Sequence, residues 1–296
     1  MSTKSIYFGT MKFILGKLLL GMAALVICGI LGAICIPLVE KLGLFPIFIW
    51  LALSAAAYGG LNYYFGYLLK AGHIAVITKA VVDGALPEDM WNYGVQSVKK
   101  RFITTNVYYI IDNSINGAVK QINKVVDKAD NIFGEIPGIS TLLSFVKVFI
   151  GIALGYIDEC CLGYTFLHME ENAFKCACDG VVIYFQNWKK LLKSATVTSL
   201  VVVAVTFLLT LVPFLLLGGL FTLLNTHFAF ALLPAILLAM ALKSAFLDSF
   251  ILIRTMKAYM EVAPTTELKV DIYDKLCKFS AKFRNMFNKS KEPAHV

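Results

Sequence analysis

Four long apolar runs, at residues 18–39, 46–69, 196–224 and 228–253, constrain this chain more than any other feature. A helix needs about 20 residues to cross roughly 30 Å of hydrocarbon, and each run is long enough. In lipid a helix satisfies its backbone hydrogen bonds internally, as an open irregular segment cannot. The expected fold is therefore all-α, a polytopic integral membrane protein. The runs pair into two hairpins with short turns near 40–43 and 225–227. The second run closes on Tyr63, Tyr64, Tyr67 and Lys70, the aromatic and basic residues that favour a membrane interface. The fourth holds Lys243 and Asp248 within it.

Composition supports this reading. Of 296 residues 58% are hydrophobic and 16% charged, with a mean hydropathy of +0.74, too apolar for a soluble globule. The net charge of +8 falls between the apolar runs, which suits membrane orientation and anionic headgroups better than nucleic acid. The seven cysteines lie mostly in or beside apolar stretches, where a thiol acts as a small hydrophobe. Cys176 and Cys178 lack a second cysteine or histidine pair at zinc-finger spacing, so no metal is expected. The N-terminal lysines Lys4, Lys12 and Lys17 lead into a run too long for a signal-peptide core, which reads as a first span retained in the mature chain.

Residues 5–101 and 182–284 align at an offset of about 177. The polar landmarks carry that alignment: Tyr7-Phe8 with Tyr184-Phe185, Lys12 with Lys189, Lys79-Ala80 with Lys257-Ala258, and Pro87 with Pro264. Three segments follow: a first hairpin repeat at 1–103 with a basic surface helix, a central part at 104–181, and a second hairpin repeat at 182–296 with a basic amphipathic tail. Basic residues flank both hairpins while the turns hold only Glu40, Lys41 and His227. The positive-inside rule then points both hairpins the same way, parallel, with both termini cytoplasmic. Parallel repeats are a known transporter plan. Lys70 and Asp248 correspond under the offset and form a candidate ion pair; the alternative is that each is solvated at the cytoplasmic interface.

The central segment contains the least ordinary helix. Across residues 139–166, Ser140, Ser144, Lys147, Gly151, Gly155, Glu159 and Gly163 recur every three or four positions, with Asp158 beside them. That spacing gathers them on one face. One reading is close packing through Gly151 and Gly155, a small-xxx-small pair. The other is a polar pathway lined by Ser144, Lys147, Gly151, Gly155, Asp158 and Glu159, because ionisable groups in membrane segments face a bundle interior or water. Whether this helix spans, re-enters or lies in the interface stays open. Residues 104–126 read as an amphipathic helix. So does the tail at 265–290, where Lys278, Lys282, Arg284 and Lys289 are placed to meet anionic lipid.

No nucleotide loop, metalloprotease motif or nucleophile elbow occurs, so neither an enzyme nor a cofactor is expected. Several short pieces resemble the choline-transporter-like family: Tyr156-Ile157-Asp158 closing the small-residue helix, then Asn172-Ala173-Phe174, then Asp248-Ser249-Phe250 in the last span. Gly16-Lys17-Leu18-Leu19 also resembles a family span opening. The resemblance covers at most residues 139–260 and implies organic-cation transport. The function expected is movement of a small solute or cation across the cell membrane. An oligomeric ion channel lined by the striped helix, and a lipid-binding scaffold without transport, are the alternatives. A homo-oligomer is expected, since four spans per chain are few for an enclosed pathway.

Overall fold

The computed structural model describes residues 1–101, 111, 113–117, 120–121, 156–225 and 227–291. Among them there is no strand. The helices are α1 (Thr3–Gly9), α2 (Met11–Cys35), α3 (Phe45–Leu61), α4 (Tyr67–Val82), α5 (Met90–Arg101), α6 (Ile157–Leu167), α7 (Ala173–Gln186), α8 (Trp188–Leu223), α9 (Leu232–Leu242), α10 (Asp248–Met260), α11 (Val270–Phe279) and α12 (Ala281–Lys289). A five-residue π-helical segment follows α3 at Asn62–Gly66, and another follows α9 at Lys243–Leu247.

Three helical stretches, Met11–Leu42, Ala204–Leu223 and Phe228–Thr265, are long and apolar enough to cross a membrane. They mark the chain as an integral membrane protein. The apolar helix α3 is shorter, 17 residues, because its α form gives way to π at Asn62. Only 11% of the most apolar window of Ala204–Leu223 is buried within the protein. Phe207, Leu208, Leu216, Leu220 and Leu223 therefore present apolar surface that water would not tolerate in one patch.

The chain forms two compact units. The hairpin unit comprises Gly9–Lys70 and Leu200–Phe250, so it draws on both halves of the sequence. Its centre is α2, which packs against both α3 and α9. Small residues make that closeness feasible. A Cβ on Gly21 would lie 2.2 Å from the Cβ of Ala241, and one on Gly32 would lie 3.3 Å from the Trp50 ring. The Trp50 indole donates to the Cys28 carbonyl at 2.9 Å inside a cluster of Cys28, Cys35, Trp50 and Leu237. Among the described residues each hairpin turn carries one residue of positive φ, Gly43 at 63° and Asn225 at 54°. Glycine and asparagine are the residues that adopt this conformation most cheaply.

The second unit comprises Met1–Phe8, Ala71–Ser199 and Ile251–Val296. Asn172 caps α7 by accepting from the amides of Phe174 and Lys175. The hairpin of α6 and α7 is tight at Gly180, where an added Cβ would sit 3.0 Å from the Cys161 Cα. Gly163 of α6 faces Met256 and Met260 of α10, and the Tyr259 hydroxyl donates to the Gly180 carbonyl at 3.1 Å. The tail helices α11 and α12 fold onto α7, burying Leu276, Phe283 and Met286.

Two expectations are corrected here. The helix expected over 139–166 does not continue through Tyr156, whose φ of −116° and ψ of 11° place it before the first helical residue of α6, and residues 139–155 lie outside the described residues. The part that follows is also not apolar on three lipid-facing sides. From Ile157 to Gly163 every side is buried in protein, because α7, α10 and α4 surround it. The apolar face of the tail is taken up by packing on α7.

Candidate functional site

Within the hairpin unit, one polar seam interrupts the apolar packing. From α2, Lys17 donates through Nζ to the Ser249 hydroxyl at 3.0 Å. At the second π segment, Lys243 Nζ meets Asp248 Oδ1 at 2.7 Å. At the first, Asn62 donates to the Tyr58 carbonyl at 2.9 Å, and Tyr58 lies within electrostatic reach of Asp248. Both π segments pack on α2. A π turn adds a residue to the helix and shifts every following side chain around the axis. Such turns recur at functional sites.

The seam has a definable depth. From the turn, the 17 residues of α3 rise about 26 Å to Asn62. The four-residue 3-10 turn at Phe228–Ala231 and the 11 residues of α9 rise about 25 Å to Lys243. Both π segments thus stand about the same distance from their turns, less than the roughly 30 Å that a hydrocarbon core measures. Ionisable groups at that depth are costly unless they serve a purpose or pair. Half-exposure of the Lys243 and Asp248 side chains, 35% and 30%, keeps them reachable.

Asp248 was legible from the sequence, and one of its partners is Lys243. Lys70 lies half-buried at the end of the hairpin unit. Lys17, Tyr58, Asn62 and Ser249 were not singled out as a site. The available signal was a lysine and an asparagine near the ends of otherwise apolar runs.

In the second unit, Asp158 and Glu159 occupy the first turn of α6 and are buried, 3% and 7% exposed. The helix dipole favours acids there. Asn116 donates to Asp158 at 3.3 Å. The remaining stripe residues Ser144, Lys147, Gly151 and Gly155 lie outside the described residues, as does most of the 104–126 amphipathic segment. Arg101 ties the end of α5 to the α6–α7 turn, donating to the carbonyls of Met169 at 3.0 Å and Glu171 at 2.6 Å. Burial lowers its guanidinium from the ordinary value. Burial also pushes the Cys176 thiol up to about 11 and the Cys160 and Cys161 thiols well above the usual range, which makes them poor nucleophiles. Among the described residues no group of His, Cys, Asp and Glu is placed to hold a metal ion.

The tail is joined to α7 by a buried polar contact as well as apolar packing. Tyr273 of α11 donates to Asp179 Oδ1 at 2.6 Å, while burial raises the Asp179 carboxyl above the ordinary range. On the outer side of α11 and α12, Lys278, Lys282, Arg284 and Lys289 are all exposed. Comparison with family models, curated proteins and solved structures finds no match for this chain.

Proposed function

We propose that the protein moves a small solute or cation across the bilayer, with the polar seam of the hairpin unit as its gate. The observation that carries this is the seam itself. Lys17, Ser249, Asp248 and Lys243 converge beside the π segment Lys243–Leu247, in a unit whose buried side chains are mostly apolar. A π turn can relax to α by shifting one residue of register, which gives the helices a small and reversible step. In this reading both hairpins open to the cytoplasm of the cell membrane, the termini are cytoplasmic, and copies of the chain assemble around the pathway. The resemblance to choline-transporter-like proteins makes an organic cation such as choline the first solute to test. Uptake of labelled choline and of potassium into proteoliposomes, against protein-free vesicles, tests the proposal. Uptake above the blank for either supports it; no uptake of any small cation or neutral solute counts against it.

A second reading has its own support. The basic outer faces of α11 and α12 would hold the protein against anionic lipid as a scaffold without transport. Liposome binding that persists with no flux would favour it.

A further inference from the structure

We infer that the π segment Lys243–Leu247 is a one-residue switch. With the extra residue of the π turn held there, the Lys243–Asp248 pair is closed; when that residue passes on down the helix, the pair opens. The inference deepens the reading of the seam as a gate and rests on that reading for its flux arm. It starts from the backbone. The Asp248 amide donates to the Lys243 carbonyl, five residues back, where an α-helix closes in four. The side chains give the same answer. Lys243 Nζ and Asp248 Oδ1 meet at 2.7 Å, although an α-helix would set residues five apart about 140° from alignment. Whatever other partners Asp248 has, this contact reads out the π register.

The helix is held on both sides of the segment. Upstream, Ala241 of α9 lies against Gly21 of α2, where an added Cβ would come within 2.2 Å of it; a one-residue step of α9 would press Leu242 there instead. Downstream, the Tyr259 hydroxyl of α10 donates to the Gly180 carbonyl of α7, and Met256 and Met260 meet Gly163 of α6. The extra residue is thus kept in the helix but is free to travel between these points. When it passes Asp248, the turn after Lys243 becomes α and Asp248 swings by about 100°. That step carries the carboxylate away from Lys243 and into the place of Ser249, beside Lys17. Packing gives little reason to keep the extra residue, because of Ser244, Ala245, Phe246 and Leu247 only Ala245 is buried. A π turn also weakens the backbone ladder, which lipid does not make good.

The test is deletion of Ser244 in the full chain, read by hydrogen exchange in nanodiscs and by flux in proteoliposomes. The deletion makes the helix α throughout, keeps Ala241 and Tyr259 in place, and leaves Lys243 and Asp248 as an α-helical pair four apart. We expect this variant to resist SDS at least as well as the parent. Deletion of Ala239 within α9 should unfold the chain earlier, because Leu237 or Ala241 must then leave its place. Amides from Ser244 to Phe250 should exchange about tenfold more slowly in the Ser244 deletion than in the parent. Transport should fall about tenfold, with the pair held shut. Asp248→Asn needs no deletion, and should speed exchange over the same amides by removing the charge that closes the π register. Early unfolding of the Ser244 deletion, exchange unchanged in either variant, or parental flux through the folded deletion variant would each overturn the switch. A parent that moves no solute would sink the gate reading alone, and exchange then decides the switch.

Discussion

Gly21→Ala probes the packing on which the seam depends. The added methyl would sit 2.2 Å from the Ala241 Cβ and 3.0 Å from its Cα, and Gly21 is buried. Methyl carbons rest at about 3.8 Å, so α2 and α9 must part by roughly 1.5 Å locally. Overpacking of this kind costs about 1–3 kcal/mol. Lys17 and Gly21 are four residues apart and share a face of α2, so the same parting pulls Lys17 from Ser249. The fraction folded in mixed micelles against rising SDS would show Gly21→Ala unfolding earlier. Adding Ala241→Gly removes the opposing methyl and should recover about half of the loss, because the Cα remains close. Equal stability of Gly21→Ala and the parent, or no recovery in the double variant, would refute the packing argument.

Other outcomes follow from single contacts. Trp50→Phe removes the indole donor to the Cys28 carbonyl and should cost about 1 kcal/mol, read in the same micelle assay, since that carbonyl keeps its place in the helix ladder. The Asp179 carboxyl is raised in the fold, so its burial lowers stability as pH rises through the ordinary carboxylate range and leaves none of that penalty below it. Asp179→Asn should therefore raise the thermal midpoint at pH 7 but not at pH 3, whereas Tyr273→Phe should lower it at pH 7 by leaving a buried carboxylate without its donor, about 1–3 kcal/mol. A reversed order of the two variants at pH 7 would contradict the assignment. With Cys277 replaced by serine, a membrane-impermeant thiol reagent outside the cell should label Lys41→Cys and not Lys100→Cys; labelling at position 100 would overturn the parallel hairpins. Glutamine at Lys278, Lys282, Arg284 and Lys289 should reduce co-sedimentation with anionic liposomes by up to about 1 kcal/mol per residue, less in salt.

Hydropathy located three helices long and apolar enough to cross a membrane, because length and apolarity are what the bilayer requires of a span, whereas the run at 46–69 holds the 17-residue α3 and a π segment. The first run ends close to Cys35, and the last begins at Phe228. The described elements run in a similar order in the two halves. In each half an amphipathic helix precedes a long apolar one, a turn with one residue of positive φ follows, then an apolar helix passes through a π segment. The π segments themselves were not legible, since nothing in Asn62–Gly66 or Lys243–Leu247 distinguishes them from α-helix by composition. The fate of the amphipathic helices was also hidden. Periodicity reveals that α11 and α12 have an apolar face, but not whether lipid or α7 covers it. For the same reason Asp158 and Glu159 looked like part of a membrane stripe, although in α6 they are enclosed by protein. The seam was missed because its members lie far apart in sequence, Lys17 and Ser249 by 232 positions.

The most direct test of the seam as a gate is flux through Asp248→Asn and Lys243→Gln in proteoliposomes with verified incorporation. Asp248→Asn keeps the side-chain shape and Lys243→Gln keeps a polar side chain, while each breaks the 2.7 Å ion pair from one side. If the seam gates passage, both variants fold and insert as the parent does, yet transport of the same solute changes about tenfold, because a fixed charge at the mouth alters local solute concentration by that order. Parental flux and selectivity in both variants would contradict the account.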